Sequence, residues 1–151
     1  MDIHLISTNA NNDDFVKLTN LLDKEFYETF GDMVKRYEGF NRLEEMHNVI
    51  VLYDGIIPVA CGSFKRYNND TVEIKRVFVL KEYRQKGLAT KIMQQLEKSA
   101  IRQGFAYVIL ETGVELKPAV ELYKSLGYGI INNYAQYEED SICVCMKKKL
   151  V

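Results

Sequence analysis

The stretch from Thr71 to Ile92 constrains the fold more than any other part of the sequence. It begins with the β-branched, apolar run TVEIKRVFVL, which predicts a strand, and passes through the basic loop KEYRQKG into the helical pattern LATKIMQQLEKSA. A helix that starts directly after such a loop presents its first N–H groups without partners inside the helix. We therefore expect an α/β fold with exposed backbone donors at this junction.

The junction loop is suited to an anion. Gly87 lets the backbone approach a ligand closely, because no side chain stands in the way. The helix dipole and the N–H groups favour a phosphate, Arg84 and Lys86 add positive charge, and the Thr90 hydroxyl is a further donor. Glycine and basic residues also occur at helix starts without a ligand. The motifs G-x-x-x-x-G-K-[ST] and G-x-G-x-x-G are absent, which argues against nucleotide kinases and dehydrogenases.

The sequence before the junction predicts strands and two helices. MDIHLIS alternates like a short strand, and an Asn/Asp cap then precedes apolar residues at helical spacing from Phe15 to Phe30. Gly31 is expected to end this helix, and a weaker helical pattern covers Met33 to Met46. Turns at Asp54-Gly55 and at Asn68-Asn69-Asp70 divide the following segment into three antiparallel strands.

After the junction the same alternation continues. The helix that follows the loop is expected to end at Gly104, FAYVILETG is a strand, and Pro118 begins another helix that ends at Gly127. YGIINNY and SICVCMKKKL are two final strands. The order β-α-α-β-β-β-α-β-α-β-β predicts an α/β fold with a mixed, mostly antiparallel sheet and helices on both faces. Residues 1–151 contain no linker-like tract, so we expect one domain.

Charge and composition argue against several classes of protein. The net charge is -1, whereas a general nucleic-acid binder usually carries a strong basic excess. The run from Lys147 to Lys149 is too short to change this and indicates a solvated strand end. The sequence has no signal-peptide pattern and no apolar run of about 18 residues. We therefore expect a cytoplasmic protein with neither a nucleic-acid nor a membrane partner.

The cysteines and histidines do not suggest a metal site. Cys61, Cys143 and Cys145 are odd in number, and His4 and His47 do not stand in metal-ligand spacing with them. Reduced, buried thiols in a cytosolic protein are the simplest interpretation. No metal is expected.

Two blocks of the sequence resemble the GNAT superfamily of N-acetyltransferases. Its central signature, Arg/Gln-x-x-Gly-x-Gly/Ala, is matched by Arg84-Gln85-Lys86-Gly87-Leu88-Ala89. A later block is similar to the family's next strand-helix-strand unit, whose helix often reads Ala-x-x-x-Tyr-x-x-x-Gly-Phe/Tyr. Ala119, Tyr123, Gly127 and Tyr128 fit this pattern. The order of elements also agrees with the family along nearly the whole chain.

The resemblance implies acetyl-CoA as the donor. By this likeness, the loop amides would bind the pyrophosphate and the end of the preceding strand would bind the pantetheine arm through its backbone. The implied cofactor-binding residues are Val77, Phe78, Val79, Arg84, Gln85, Lys86, Gly87, Leu88, Ala89 and Thr90. The sequence departs from the common pattern at Ala89, where many members carry glycine. It departs again at Leu116, where many carry asparagine or glutamine, which puts one side-chain contact to CoA in doubt.

Acetyl transfer to an amine calls for a general base and a general acid. Glu73, on the strand that leads to the loop, is the candidate base, and Glu111 is a weaker rival. The alternative for Glu73 is a solvated carboxylate paired with Lys75 or Arg76. Tyr123 is the candidate acid for the departing thiolate, because its place in AVELYKSLGY resembles the family's tyrosine position. The alternative for Tyr123 is core packing on the apolar stripe of its helix.

We expect the first two helices and the loop between the last two strands to form the acceptor site. Tyr27 and Tyr134 lie there beside carboxylates and suit a cationic amine, whereas Lys75 and Arg76 suit an acceptor carboxylate. We therefore predict an N-acetyltransferase acting on the primary amine of a small molecule, amino-acid-like or polyamine-like. The alternatives are a non-catalytic acyl-CoA sensor, a protein N-acetyltransferase and an interaction protein whose loop binds nothing. By resemblance, a homodimer is also expected.

Overall fold

The computed structural model describes residues 1–40 and 42–151. Within them the strands, in chain order, are β1 (Ile3–Thr8), β2 (Asn48–Asp54), β3 (Ile57–Arg66), β4 (Thr71–Val79), β5 (Tyr107–Gly113), β6 (Gly129–Ile131) and β7 (Cys143–Lys149). The α-helices are α1 (Asp13–Phe30), α2 (Leu88–Arg102) and α3 (Lys117–Ser125). Shorter 3-10 helices occupy Gly31–Phe40, Leu43–Glu45, Lys81–Tyr83 and Ala135–Tyr137.

The strands form one sheet in the order β1-β2-β3-β4-β5-β7-β6. The pairs β1–β2, β2–β3, β5–β7 and β6–β7 are antiparallel. Strands β4 and β5 are parallel, with Thr71 opposite Tyr107 and Glu73 opposite Ile109 at the two ends of their ladder. The predicted α/β fold with a mixed, mostly antiparallel sheet is confirmed.

The chain folds into two compact units. The first contains Met1–Lys65 and Lys75–Leu96, and the second contains Arg66–Ile74 and Glu97–Val151. The assignment of residues 1–151 to a single acetyltransferase domain stays a prediction.

Helix α1 begins and ends where local signals place it. The side chain of Asn12 accepts a hydrogen bond from the N–H of Phe15 at 2.9 Å, and Gly31, at φ +61°, follows the last residue. The α-helix predicted over Met33 to Met46 is wrong in type: 3-10 helices occupy this part, and Asn41 lies outside the described residues. Its glycine at position 39 disfavours an α-helix by about 1 kcal/mol relative to alanine.

The core of the first unit packs α1 against strand residues. The apolar stripe of α1 predicted from the sequence supplies three fully or nearly fully buried side chains. The buried members of this core are Phe15, Leu18, Leu22, Met46, Val49, Val51, Tyr53, Cys61 and Phe78.

The second unit buries a polar contact between α2 and the last strand. Tyr128 donates its hydroxyl to Glu97 at 2.8 Å, and the ammonium of Lys148 reaches the other oxygen of the same carboxylate at 2.7 Å. Lys148 is therefore an ion-paired, partly buried residue, so the expected solvated strand end applies to Lys147 and Lys149 but not to it. No helix in the described part of the chain is long and apolar enough to cross a membrane.

Candidate active site

The loop before α2 exposes backbone donors. The first hydrogen bond of the helix runs from the N–H of Lys91 to the carbonyl of Gly87 at 3.1 Å, so the N–H groups of Leu88, Ala89 and Thr90 precede the helical ladder. Gly87 has φ +80°, a conformation that favours glycine. A Cβ atom at this position would meet no atom within 4 Å. The loop therefore combines N–H groups that have no partner within the helix with open space beside Gly87, as an anion site requires.

Arg84 is held by partners that the sequence does not reveal. Its terminal nitrogen lies 2.7 and 2.9 Å from the two carboxylate oxygens of Glu25 on α1, and its Nε donates to the carbonyl of Val79 at 2.9 Å. The positive charge predicted for the loop is thus partly balanced within the first unit. Lys86 is exposed, as is Arg84.

Arg76 and Lys75 are buried rather than exposed to a ligand. The Arg76 guanidinium donates to the carboxylate of Asp23 at 2.8 Å and to the carbonyl of Thr19 at 3.0 Å. Its backbone has φ +62°, and its Nε has no partner among the described residues. Both side chains were predicted to bind an acceptor carboxylate. That assignment stays a prediction, as does the role of Tyr27, which is 56% exposed on α1.

Glu73 lies buried in the second unit. Only 2% of the residue is exposed, and its carboxylate accepts a hydrogen bond from the hydroxyl of Tyr134 at 2.7 Å. The alternative of a solvated carboxylate therefore does not hold. Burial first, and then the charge of Glu73 and this hydrogen bond, raise the pKa of Tyr134 far above its usual value. Tyr134 thus remains a hydrogen-bond donor to Glu73 over the whole physiological pH range.

The position of Tyr134 depends on the neighbouring Asn133. The Nδ2 atom of Asn133 lies within hydrogen-bond distance of the backbone carbonyls of Tyr137, Asp140 and Cys143, at 3.1, 3.0 and 3.2 Å. The Tyr134 ring also meets the Tyr137 ring edge to face, with centroids 5.6 Å apart. One amide and one aromatic contact therefore order the loop between β6 and β7.

Tyr123 packs as a core residue on α3, and its assignment as the acid stays a prediction. Its side chain is nearly buried on α3, and its ring meets that of Tyr128 edge to face at 6.0 Å. Burial, together with the charge of Glu111, raises the pKa of Tyr123 to about 12. Among the described residues its hydroxyl has no hydrogen-bond partner. The Tyr123 hydroxyl therefore stays protonated at physiological pH.

A cavity of about 140 Å³ lies in the second unit. Its lining residues are Tyr67, Asn68, Thr71, Ile109, Ile131, Tyr134 and Lys147. The rings of Tyr67 and Tyr134 meet edge to face at 5.5 Å. Of these residues only Tyr134 was a candidate from the sequence. The others come from separate strands and turns, and no local pattern marks them.

The sequence is similar to one family of proteins over most of its length. Residues 15–128 match the sequence model described as the acetyltransferase (GNAT) family. The uncharacterized N-acetyltransferase YsnE of Bacillus subtilis is 32% identical over 100 residues, which are 65% of this chain. The aligned part is 66% of that relative's own length, just under two thirds.

Two solved structures show the same fold. A proposed acyl-CoA N-acyltransferase from Klebsiella pneumoniae has a TM-score of 0.84 at 23% identity, over 99% of this chain and 98% of that one. A GNAT family acetyltransferase from Elizabethkingia anophelis, solved with acetyl-CoA bound, has a TM-score of 0.72 at 12% identity, over 98% of each chain. With the match of residues 15–128, which spans most of the sequence, the chain belongs to the acetyltransferase (GNAT) family.

Proposed function

We propose that this protein is an acetyl-CoA-dependent N-acetyltransferase that acetylates the primary amine of a small molecule. The observation that carries the proposal is the loop at Gly87 in a chain of this family. The N–H groups of Leu88, Ala89 and Thr90 precede the helical hydrogen bonds there, and a Cβ on Gly87 would meet no atom within 4 Å. The N–H groups from Gln85 to Thr90 are assigned to the pyrophosphate, and the backbone of Val77–Val79 to the pantetheine arm. Acetyl-CoA supplies a thioester carbonyl that a neutral amine can attack.

Glu73 is the proposed general base. A carboxylate that is buried and held by a 2.7 Å hydrogen bond has a fixed orientation, which general-base catalysis needs. The proton leaving the amine passes to Glu73, either directly or across the Tyr134 hydroxyl. Glu111 is less suited, because its carboxylate already accepts a hydrogen bond from the Cys143 thiol. Burial first, and then the charge of Glu111 and this hydrogen bond, raise the pKa of that thiol.

Tyr123 is the proposed donor to the departing sulfur. A thiol pKa of about 8.5 and a tyrosine pKa of about 12 make complete proton transfer unfavourable by about 5 kcal/mol. We therefore assign Tyr123 a hydrogen bond to the developing thiolate rather than full protonation of it. A donor of this kind stabilises charge where it develops in the transition state.

The expected cellular setting is the cytoplasm. Cys61, Cys143 and Cys145 are buried free thiols, which suit a reducing compartment. The expected acceptor is a small amine, with no nucleic-acid or membrane partner and with a homodimer as the proposed assembly.

The experiment that tests the proposal is thermal unfolding with acetyl-CoA and with CoA, followed by thiol release in the presence of amines. A ligand that binds only the folded chain adds about 2.7 kcal/mol of stability at 100 times its Kd. A raised midpoint with thiol release from at least one class of amine is expected. An unchanged midpoint at millimolar acetyl-CoA would reject the loop assignment, and binding without thiol release would indicate a non-catalytic sensor.

A further inference from the structure

We propose that the cavity beside Tyr134 is the acceptor site and that it selects amines carrying a carboxylate, which Lys147 binds. The inference rests on the proposed function and narrows its substrate class. The cavity volume of about 140 Å³ is well below the roughly 300–1,000 Å³ of drug-sized sites, so its ligand is small.

Tyr134 connects the cavity with the proposed base. Its side chain lines the cavity, and its hydroxyl donates to the buried carboxylate of Glu73 at 2.7 Å. The Tyr67 ring, set edge to face against Tyr134 at 5.5 Å, completes an aromatic wall. Aromatic rings attract an ammonium group, so this wall suits the amine end of a ligand.

The sheet register sets a cation opposite this acid. Lys147 on β7 is the partner of Ile109 on β5, and Ile109 is the partner of Glu73 on β4. Residues directly opposite one another on neighbouring strands share a face of the sheet. Two strand spacings of about 4.8 Å separate the Cα atoms of Glu73 and Lys147 by about 10 Å. The acidic Glu73, the apolar Ile109 and the cationic Lys147 therefore lie side by side on three neighbouring strands.

The charge of Lys147 is not balanced by the protein. Its Nζ lies 4.3 Å from the centre of the Tyr107 ring, which carries no counter-charge, and no carboxylate among the described residues pairs with it. Its neighbour Lys148, on the opposite face of β7, differs by its ion pair with Glu97 at 2.7 Å. Lys147 is thus the lining residue suited to hold an anionic group, while the amine lies toward Tyr134.

Matched ligand pairs and matched variants test the inference. The pairs are alanine with ethylamine, serine with ethanolamine, and threonine with 1-amino-2-propanol; each amine lacks only the carboxylate of its partner. The variants are Lys147→Gln and Lys149→Gln, since Lys149 is an exposed lysine two residues further along β7 and does not line the cavity. Both variants lose the same charge. The readouts are kcat/KM from thiol release and the unfolding midpoint in saturating CoA with each ligand.

We expect the unmodified protein and Lys149→Gln to prefer the carboxylate-bearing member by about tenfold or more in kcat/KM, the factor that one hydrogen bond to a charged group provides. Lys147→Gln should lose that preference. The inference would be overturned if both members of a pair were used equally, or if only the amines that lack a carboxylate were acetylated. A preference that survives in Lys147→Gln would also overturn it. The midpoint separates this failure from that of the proposed function. The amino acids could raise the midpoint of every protein except Lys147→Gln and yet cause no thiol release. That result would keep the cavity assignment and reject acetyl transfer. If the amino acids neither raise the midpoint nor are turned over, the assignment of the cavity as the acceptor site is rejected.

Discussion

Replacement of Gly87 gives a direct test of the phosphate loop, because the chain contains a matched control. Gly87 and Gly104 have φ +80° and +89°, and a Cβ on either would meet no atom within 4 Å. Gly87→Gln and Gly104→Gln therefore have the same backbone penalty, about 1–2 kcal/mol for a non-glycine residue in the left-handed region. For a chain of this size that corresponds to a midpoint lower by about 2–8 °C in both variants.

Ligand binding should separate the two variants. Hydrogen bonds to a charged group contribute about 1.5–3 kcal/mol each, so a side chain that blocks two loop N–H groups removes about 3–6 kcal/mol. The Kd of acetyl-CoA then rises by about 10²–10⁴-fold. At 100 times the original Kd, the unmodified protein gains about 2.7 kcal/mol, and a variant with a 100-fold higher Kd gains about 0.4 kcal/mol.

The assay is scanning fluorimetry of the three proteins with and without acetyl-CoA. Gly104→Gln should keep the full ligand-induced shift of the midpoint, and Gly87→Gln should lose nearly all of it. The reasoning is refuted if Gly87→Gln keeps the shift, or if Gly104→Gln loses as much.

Three further changes probe other parts of the site. Glu73→Gln should lower kcat by about 10²–10⁴-fold while the acetyl-CoA midpoint shift is retained; near-full turnover would remove Glu73 as the base. Glu25→Gln frees the charge of Arg84, so acetyl-CoA should bind several-fold tighter at low salt, with the gain falling at about 1 M salt; weaker binding at low salt would show that Glu25 instead positions the loop. Tyr123 has a pKa raised from 10 to about 12, so its contribution to stability is complete below pH 10 and is lost as the pH rises toward 12. Tyr123→Phe should therefore reduce the alkaline loss of unfolding free energy by about 3 kcal/mol and should also lower turnover without weakening acetyl-CoA binding; an unchanged alkaline profile contradicts the burial argument.

The elements that the sequence predicted are those specified by local chemistry. Asn12 caps α1 through a contact three residues away, and Gly87 is set by the conformation of a single turn. Strand periodicity and turn residues gave the order of the elements along the chain, because each acts over fewer than ten residues. The order of the strands within the sheet came from the structure. The segment from Met33 to Met46 shows the limit of this approach, since a weak helical pattern does not distinguish an α-helix from 3-10 turns.

The partners of the charged groups were not predictable in the same way. The side-chain hydrogen bonds of Arg84 with Glu25, of Arg76 with Asp23 and of Glu73 with Tyr134 join residues that are 59, 53 and 61 positions apart in the sequence. Such pairs are fixed by the placement of α1 and of the β6–β7 loop, which no spacing in the sequence encodes. The sequence therefore identified candidate residues, whereas the charge balance around them required the structure.

The hydrogen bonds of Asn133 depend on the residue type at some positions of the loop that carries Tyr134 and not at others. All three acceptors are backbone carbonyls, which every residue at positions 137, 140 and 143 would supply. The donors come from one side-chain amide. Substitution at the acceptor positions leaves these acceptors in place, whereas a change at Asn133 removes every donor at once. All three of these hydrogen bonds therefore depend on Asn133 alone, whereas position 137 matters to the loop through the ring that it packs against Tyr134.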